Sequence, residues 1–130
     1  MVQGTVQVIA GIGADLCSVE RMKKALKSQH FRDRIFSEEE ISYCEGKGDR
    51  RYESYAAGFA AREAFCKASG KTLSDVMFGG NFALIRTDGF PIIQLKGKII
   101  IPSAKIFVSI THEKDYALAM VVIEKMEGDI

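Results

Sequence analysis

Almost no net charge, few cysteines and no long apolar run mark this 130-residue sequence, and each lack excludes a class of protein. Eighteen Lys and Arg stand against seventeen Asp and Glu, a formal net charge of +1. That balance argues against binding nucleic acid or an anionic membrane through bulk charge. The three cysteines, Cys17, Cys44 and Cys66, are odd in number and show no C-x-x-C spacing, so neither a disulfide framework nor a zinc site is indicated. A reducing, cytoplasmic setting fits them. The stretch M-V-Q-G-T-V-Q-V-I-A has no basic n-region, and the late apolar run Ala117 to Ile123 is far too short to span a bilayer, so the chain reads as soluble. No repeat, low-complexity tract or linker interrupts it. Residues 1–130 are expected to form one domain, 47% hydrophobic, with a modest core that gains from oligomerisation.

What is present sorts into early helices and late strands. Val6 to Leu16 is rich in Val and Ile and broken by Gly11 and Gly13, which predicts a strand that comes close to another backbone or a ligand, with Asp15 at its exit. From Ser18, a candidate N-cap, Val19, Met22 and Leu26 recur at helical spacing among basic residues. Ser37 and Glu40 form a capping box, with Phe36 and Ile41 placed as a hydrophobic staple, so a short helix is expected over about 38–44. Residues 51–69 contain no proline and one glycine, and alanines at 56, 57, 60, 61, 64 and 68 make this the strongest helix. Its row Ala56, Ala60, Ala64, Ala68 lets another element pack close. Beyond Gly70 strands are expected at 82–86, 91–95, 99–101, 105–111 and 116–124, separated by polar turns. The fold class is α+β: an antiparallel sheet, joined by the N-terminal strand, packed against a long central helix and shorter helices.

Two nucleotide-binding signatures are incomplete. G-I-G-A-D-L lacks the third glycine of G-x-G-x-x-G, because position 16 is Leu, and G-K-T at 70–72 has Phe65 where a P-loop needs glycine. Glu63 and Lys67 are better placed for chemistry. Four residues apart on the central helix, they share a stripe with Phe59. Such a pair is by itself a solvated ion pair worth a few tenths of a kcal/mol. By chemical type it also suits a metal and a diphosphate, the carboxylate binding Mg²⁺ and the ammonium meeting phosphate oxygens, with Asp15 as a second carboxylate. His112, at the end of a β pattern, is either a hydrogen-bonded structural residue or a donor to a phosphate. Residues 20–34 hold Arg21, Lys23, Lys24, Lys27, Arg32 and Arg34 against Glu20 and Asp33. That is a solvated helix face or a docking surface for an acidic protein.

Five blocks in order, G-I-G-A-D-L-C-S-V-E-R-M at 11–22, F-S-E-E-E at 36–40, F-A-A-R-E-A-F-C-K-A-S-G at 59–70, D-G-F-P at 88–91 and V-S-I-T-H-E-K-D-Y-A-L-A-M-V-V-I-E at 108–124, resemble the small trimeric holo-acyl-carrier-protein synthases, phosphopantetheinyl transferases of bacterial type. The resemblance implies transfer of 4′-phosphopantetheine from coenzyme A to a serine of apo-acyl carrier protein, releasing adenosine 3′,5′-bisphosphate. It implies Mg²⁺ on Asp15 and Glu63, Lys67 on the substrate phosphate, and Arg21, with Lys24 beside it, docking the carrier protein. Gly70, Pro91 and His112 match positions around the coenzyme, Arg62 and Lys71 are candidate contacts to it where this chain departs from the family, and the active sites are expected between subunits of a homotrimer. Two departures stand out: Arg62 replaces the family's lysine, and G-K-T replaces its G-T-G turn. A Mg²⁺-dependent nucleotide pyrophosphatase would use the same carboxylates without a basic docking helix. A non-catalytic trimer that binds carrier or coenzyme would not need Glu63.

Overall fold

The computed structural model describes residues 6–129; the first five residues of the N-terminal stretch and Ile130 lie outside the described part. In chain order the elements are β1 (Gln7–Ser18), α1 (Val19–Ala25), α2 (Gln29–Ile35), α3 (Glu38–Glu45), α4 (Arg51–Ser69), α5 (Leu73–Met77), β2 (Phe82–Thr87), β3 (Phe90–Leu95), β4 (Lys105–His112) and β5 (Tyr116–Met126). The α+β class holds, but the strands form two sheets. One is three-stranded in the order β1-β5-β4 and the other is the hairpin β2-β3. All pairings are antiparallel.

Helix α4 organises the molecule because alanine gives it two close-packing faces. Ala56, Ala57, Ala60, Ala61 and Ala64 are fully buried. On one side Phe65 packs with Val76, Phe82, Leu84, Ile99, Val121 and Ile123; on the other Ala56 and Ala57 meet Val19, Met22, Ile35, Phe36 and Met77 from the smaller helices. The helix ends where Gly70 adopts the left-handed conformation (φ 75°), its N–H donating to Cys66 O, a geometry glycine takes without steric cost.

Strand β1 lies along α4, and its glycines are the reason it can. A Cβ on Gly11 would sit 1.8 Å from the carbonyl O of Ala68, and one on Gly13 would sit 2.1 Å from that of Ala64. The close neighbour predicted from the broken strand is therefore the helix backbone. A register shift between Ile9 and Gly11 keeps both glycines on the helix side while Ile9 and Ile12 face outward. Across the sheet Ile12, Val122 and Phe107 fall in one row and Leu16 and Leu118 in another, leaving an outer face that exposes Ile12, Leu16, Phe107, Leu118 and Met120.

Four local expectations need correction. The basic segment 20–34 is two helices, interrupted because the Ser28 hydroxyl accepts from Phe31 N–H and caps a new start. A further short helix, α5, begins at Thr72, whose hydroxyl accepts from Asp75 N–H. Residues 99–101 are no strand: Gly97–Ile99 is a 3₁₀ turn that tucks Ile99 into the core. The hairpin stands outside the sheet that holds the N-terminal strand. The capping box at Ser37 and Glu40 is present as expected.

Candidate active site

Gly13 settles where Asp15 goes. Two residues further along β1 on the same face, Asp15 is brought against α4 at the level of Glu63 and Lys67. The Lys67 ammonium donates to the carbonyl O of Ala14 at 2.9 Å and to Oδ1 of Asp15 at 3.2 Å. Glu63, one helical turn earlier, lies close enough to Asp15 for the two carboxyl groups to share a hydrogen bond. Both open into a cleft of about 390 Å³ walled also by Cys17, Arg21, Phe31 and Phe59. The three residues read from the sequence as a unit are thus together.

Two carboxyl groups so close cannot both be comfortably ionised. Burial first, then the Asp15 charge and the hydrogen bond shared with it, raise the Glu63 carboxyl above its ordinary value, while Lys67 and Arg21 pull the other way. Cys17 is pushed up to about 11 by burial and by the charges of Asp15 and Glu63, so it stays a neutral thiol at pH 7 and is no nucleophile. Among the described residues no group of three His, Cys, Asp or Glu could hold a metal ion. A pair of carboxylates in an open cleft is the donor set for a hard cation that keeps several waters and takes further oxygens from a substrate, as Mg²⁺ does. The residues present fit that ion.

The remaining candidates are spread more widely. Arg21 walls the cleft, whereas Lys24 is exposed on α1 outside it. Gly70 closes α4 one turn beyond Lys67, and Lys71 lines a different cavity with Ser69, Pro102 and Lys125. Pro91 stands on the hairpin opposite Arg86. His112 lies at the end of β4, near Lys47 and Arg50; its Nδ1–H donates to Oε1 of Glu53 at 2.8 Å, the carboxylate being able only to accept. Arg50 and then His112 hold Glu53 below the usual carboxylate value. Of these groups Arg21 alone lines the Asp15–Glu63 cleft within one chain.

Arg62 has to be corrected. The expectation puts it beside the coenzyme, but its side chain is fully buried on another face of α4. Its guanidinium donates to both oxygens of Glu40 at 2.8 and 2.6 Å, and to the carbonyls of Gly58 and Phe82, between the rings of Phe36 and Phe82. Glu40, which also accepts from Ser37 N–H and Leu84 N–H, was recognised only as the second half of a capping box. The sequence reading also missed Cys17 and Phe31 as walls of the cleft. The alternation of β1 placed Cys17 on the Asp15 face and could have found it, but nothing pointed to Phe31.

Residues 11–121 match the family model described as the 4′-phosphopantetheinyl transferase superfamily. A holo-[acyl-carrier-protein] synthase of Thermodesulfovibrio yellowstonii is 38% identical over 122 residues, covering 89% of this chain and 99% of that protein. One from a Geobacillus species is 36% identical, covering 92% and 99%. Among solved structures, a holo-(acyl-carrier-protein) synthase from Bacillus anthracis in complex with CoA (3′,5′-ADP) superimposes with a TM-score of 0.76 at 34% identity, over 90% of this chain and 97% of that one.

Proposed function

Because the chain belongs to the 4′-phosphopantetheinyl transferase superfamily, and is a transferase, we propose that it moves 4′-phosphopantetheine from coenzyme A to a serine of apo-acyl carrier protein, with Mg²⁺, releasing adenosine 3′,5′-bisphosphate. The observation that carries this reading is the convergence of Asp15 and Glu63 on one open cleft, with the Lys67 ammonium bonded to Asp15. A nucleotide pyrophosphatase could share those three groups. The matches to holo-acyl-carrier-protein synthases along nearly the whole chain favour transfer.

The reaction is a phosphoryl transfer. The serine oxygen forms a bond to the pantetheine-side phosphorus, the P–O bond to the bridging oxygen breaks, and the nucleotide leaves with that oxygen. Asp15 and Glu63 would hold the cation, which when bound offsets the charge that builds on the diphosphate. Lys67, on a stem 57% exposed, is long and free enough to turn its ammonium to a phosphate oxygen. Glu63, directly or through a bound water, is our candidate to take the serine proton. Arg21 at the cleft wall, with Lys24 on the same helix, would meet acidic residues of the carrier.

The working unit in this reading is a homotrimer with active sites between subunits. Its support is the outer face of the β1-β5-β4 sheet, where Ile12, Leu16, Phe107, Leu118 and Met120 are exposed together. A neighbouring chain would then supply Pro91 or His112 to a coenzyme held at Glu63 of the first. Free cysteines at 17, 44 and 66 accord with the cytoplasm, and among the described residues no helix is long and apolar enough to cross a membrane. Mixing the protein with apo-carrier, coenzyme A and Mg²⁺ and weighing the carrier by mass spectrometry tests the proposal. A carrier heavier by one phosphopantetheine supports it, and an unchanged carrier with hydrolysed coenzyme would mean a pyrophosphatase.

A further inference from the structure

Lys67 is already engaged before any substrate arrives. Two of its three protons go to β1, one to the Ala14 carbonyl at 2.9 Å and one to Asp15 Oδ1 at 3.2 Å. The two partners differ in freedom. The Asp15 side chain is 13% exposed and held on a strand pinned by the close approach of Gly13 to α4, whereas the Lys67 side chain is 57% exposed on a flexible stem. If the pair separates, the lysine is the one that moves. Asp15 also faces the Glu63 carboxyl, so in the free protein this ammonium is the counter-charge of a carboxylate pair.

We propose that Lys67 is a counter-ion switch that makes cation binding and coenzyme binding depend on each other. Without coenzyme its ammonium stays on Asp15, occupying a lone pair and repelling a divalent ion from the carboxylate pair. When a diphosphate enters the cleft, the ammonium passes to a phosphate oxygen and Asp15 is released. The cation then meets a full pair of carboxylates instead of a pair already half neutralised. By linkage the coenzyme gains from the cation as much as the cation gains from the coenzyme. The inference rests on the reading that Asp15 and Glu63 are the cation's ligands.

Mn²⁺ serves as the probe, its free concentration read by electron paramagnetic resonance, with wild type and Lys67→Met each titrated with and without saturating coenzyme A. Without coenzyme, Lys67→Met binds Mn²⁺ more tightly than wild type by roughly two- to fivefold, the scale of one exposed ion pair. With coenzyme that advantage disappears, because the wild-type lysine has left Asp15. A variant tighter by the same factor in both conditions reflects only the loss of a positive charge and overturns the switch, as does a variant no tighter in either. Asp15→Asn and Glu63→Gln separate this from the underlying reading. If both bind Mn²⁺ as wild type does, the ligand assignment itself is wrong; if both lose it while Lys67→Met gains nothing, only the switch is.

Discussion

Replacing Gly13 by Ala adds one methyl group, and the structure says where it would go. The new Cβ would stand 2.1 Å from the Ala64 carbonyl O, 2.8 Å from Ala68 N and 2.9 Å from Lys67 Cβ, where ordinary contact begins at 3.4 Å. Two of these obstacles are helix backbone, so β1 has to retreat by about an ångström. Gly13 does not have a positive φ, and without the clash the substitution would stabilise the chain by about 0.4–1 kcal/mol through the unfolded state. With it, overpacking costs about 2–3 kcal/mol, which lowers a urea midpoint by about 1–2 M. Asp15 moves with the strand, and a misplacement of about 1 Å at a reacting centre costs on the order of 10²-fold in rate. Gly46→Ala is the control: at φ −65° its Cβ comes no nearer than 3.4 Å to anything. Urea unfolding at fixed protein concentration and initial transfer rates read both effects. A Gly13→Ala protein as stable as Gly46→Ala and as active as wild type would refute the argument that this glycine sets the site.

Three further outcomes follow from other parts of the molecule. Arg62→Met leaves Glu40 buried without its cation and is expected to cost about 3–5 kcal/mol in urea unfolding, most of it recovered in the double variant with Glu40→Leu. Glu63 titrates above its ordinary value in the folded state. The folded protein therefore favours its protonated form, and in chelator the stability of wild type relative to Glu63→Gln is lowest above that raised value. It increases as pH falls towards the ordinary carboxyl value of 4.5, and a flat difference across that window would contradict the assignment. Leu118→Asp puts a charge on the exposed sheet face, and sedimentation should show smaller species than wild type together with a loss of transfer activity.

Local chemistry carried much of this architecture into the sequence. The alanine-rich segment 51–69 has the bounds of α4 because propensity and the αL stop at Gly70 agree. The Ser37–Glu40 capping box was legible for the same reason, both partners lying within four residues. Ser28 and Thr72 carry cap signals of equal chemistry, yet the basic run and the expectation of strands hid them. At the site, helical spacing paired Glu63 with Lys67, and chemical type added Asp15. What spacing could not hold was tertiary: the contact of Lys67 with Asp15, 52 residues away, and the turn of Arg62 into the core. An arginine next to Glu63 looks the same in sequence whether it faces a phosphate or a buried carboxylate. Only Glu40, fixed from α3, decides between them.

The most direct test of the account is the mass of apo-acyl carrier protein after incubation with coenzyme A and either wild type or Glu63→Gln, each with Mg²⁺ and with excess chelator. Wild type with Mg²⁺ should leave a carrier heavier by one phosphopantetheine on serine, and the other three mixtures should leave it almost unmodified. A carrier modified as fast in chelator, or by Glu63→Gln, would contradict the claim that the carboxylates of β1 and α4 hold the ion on which transfer depends.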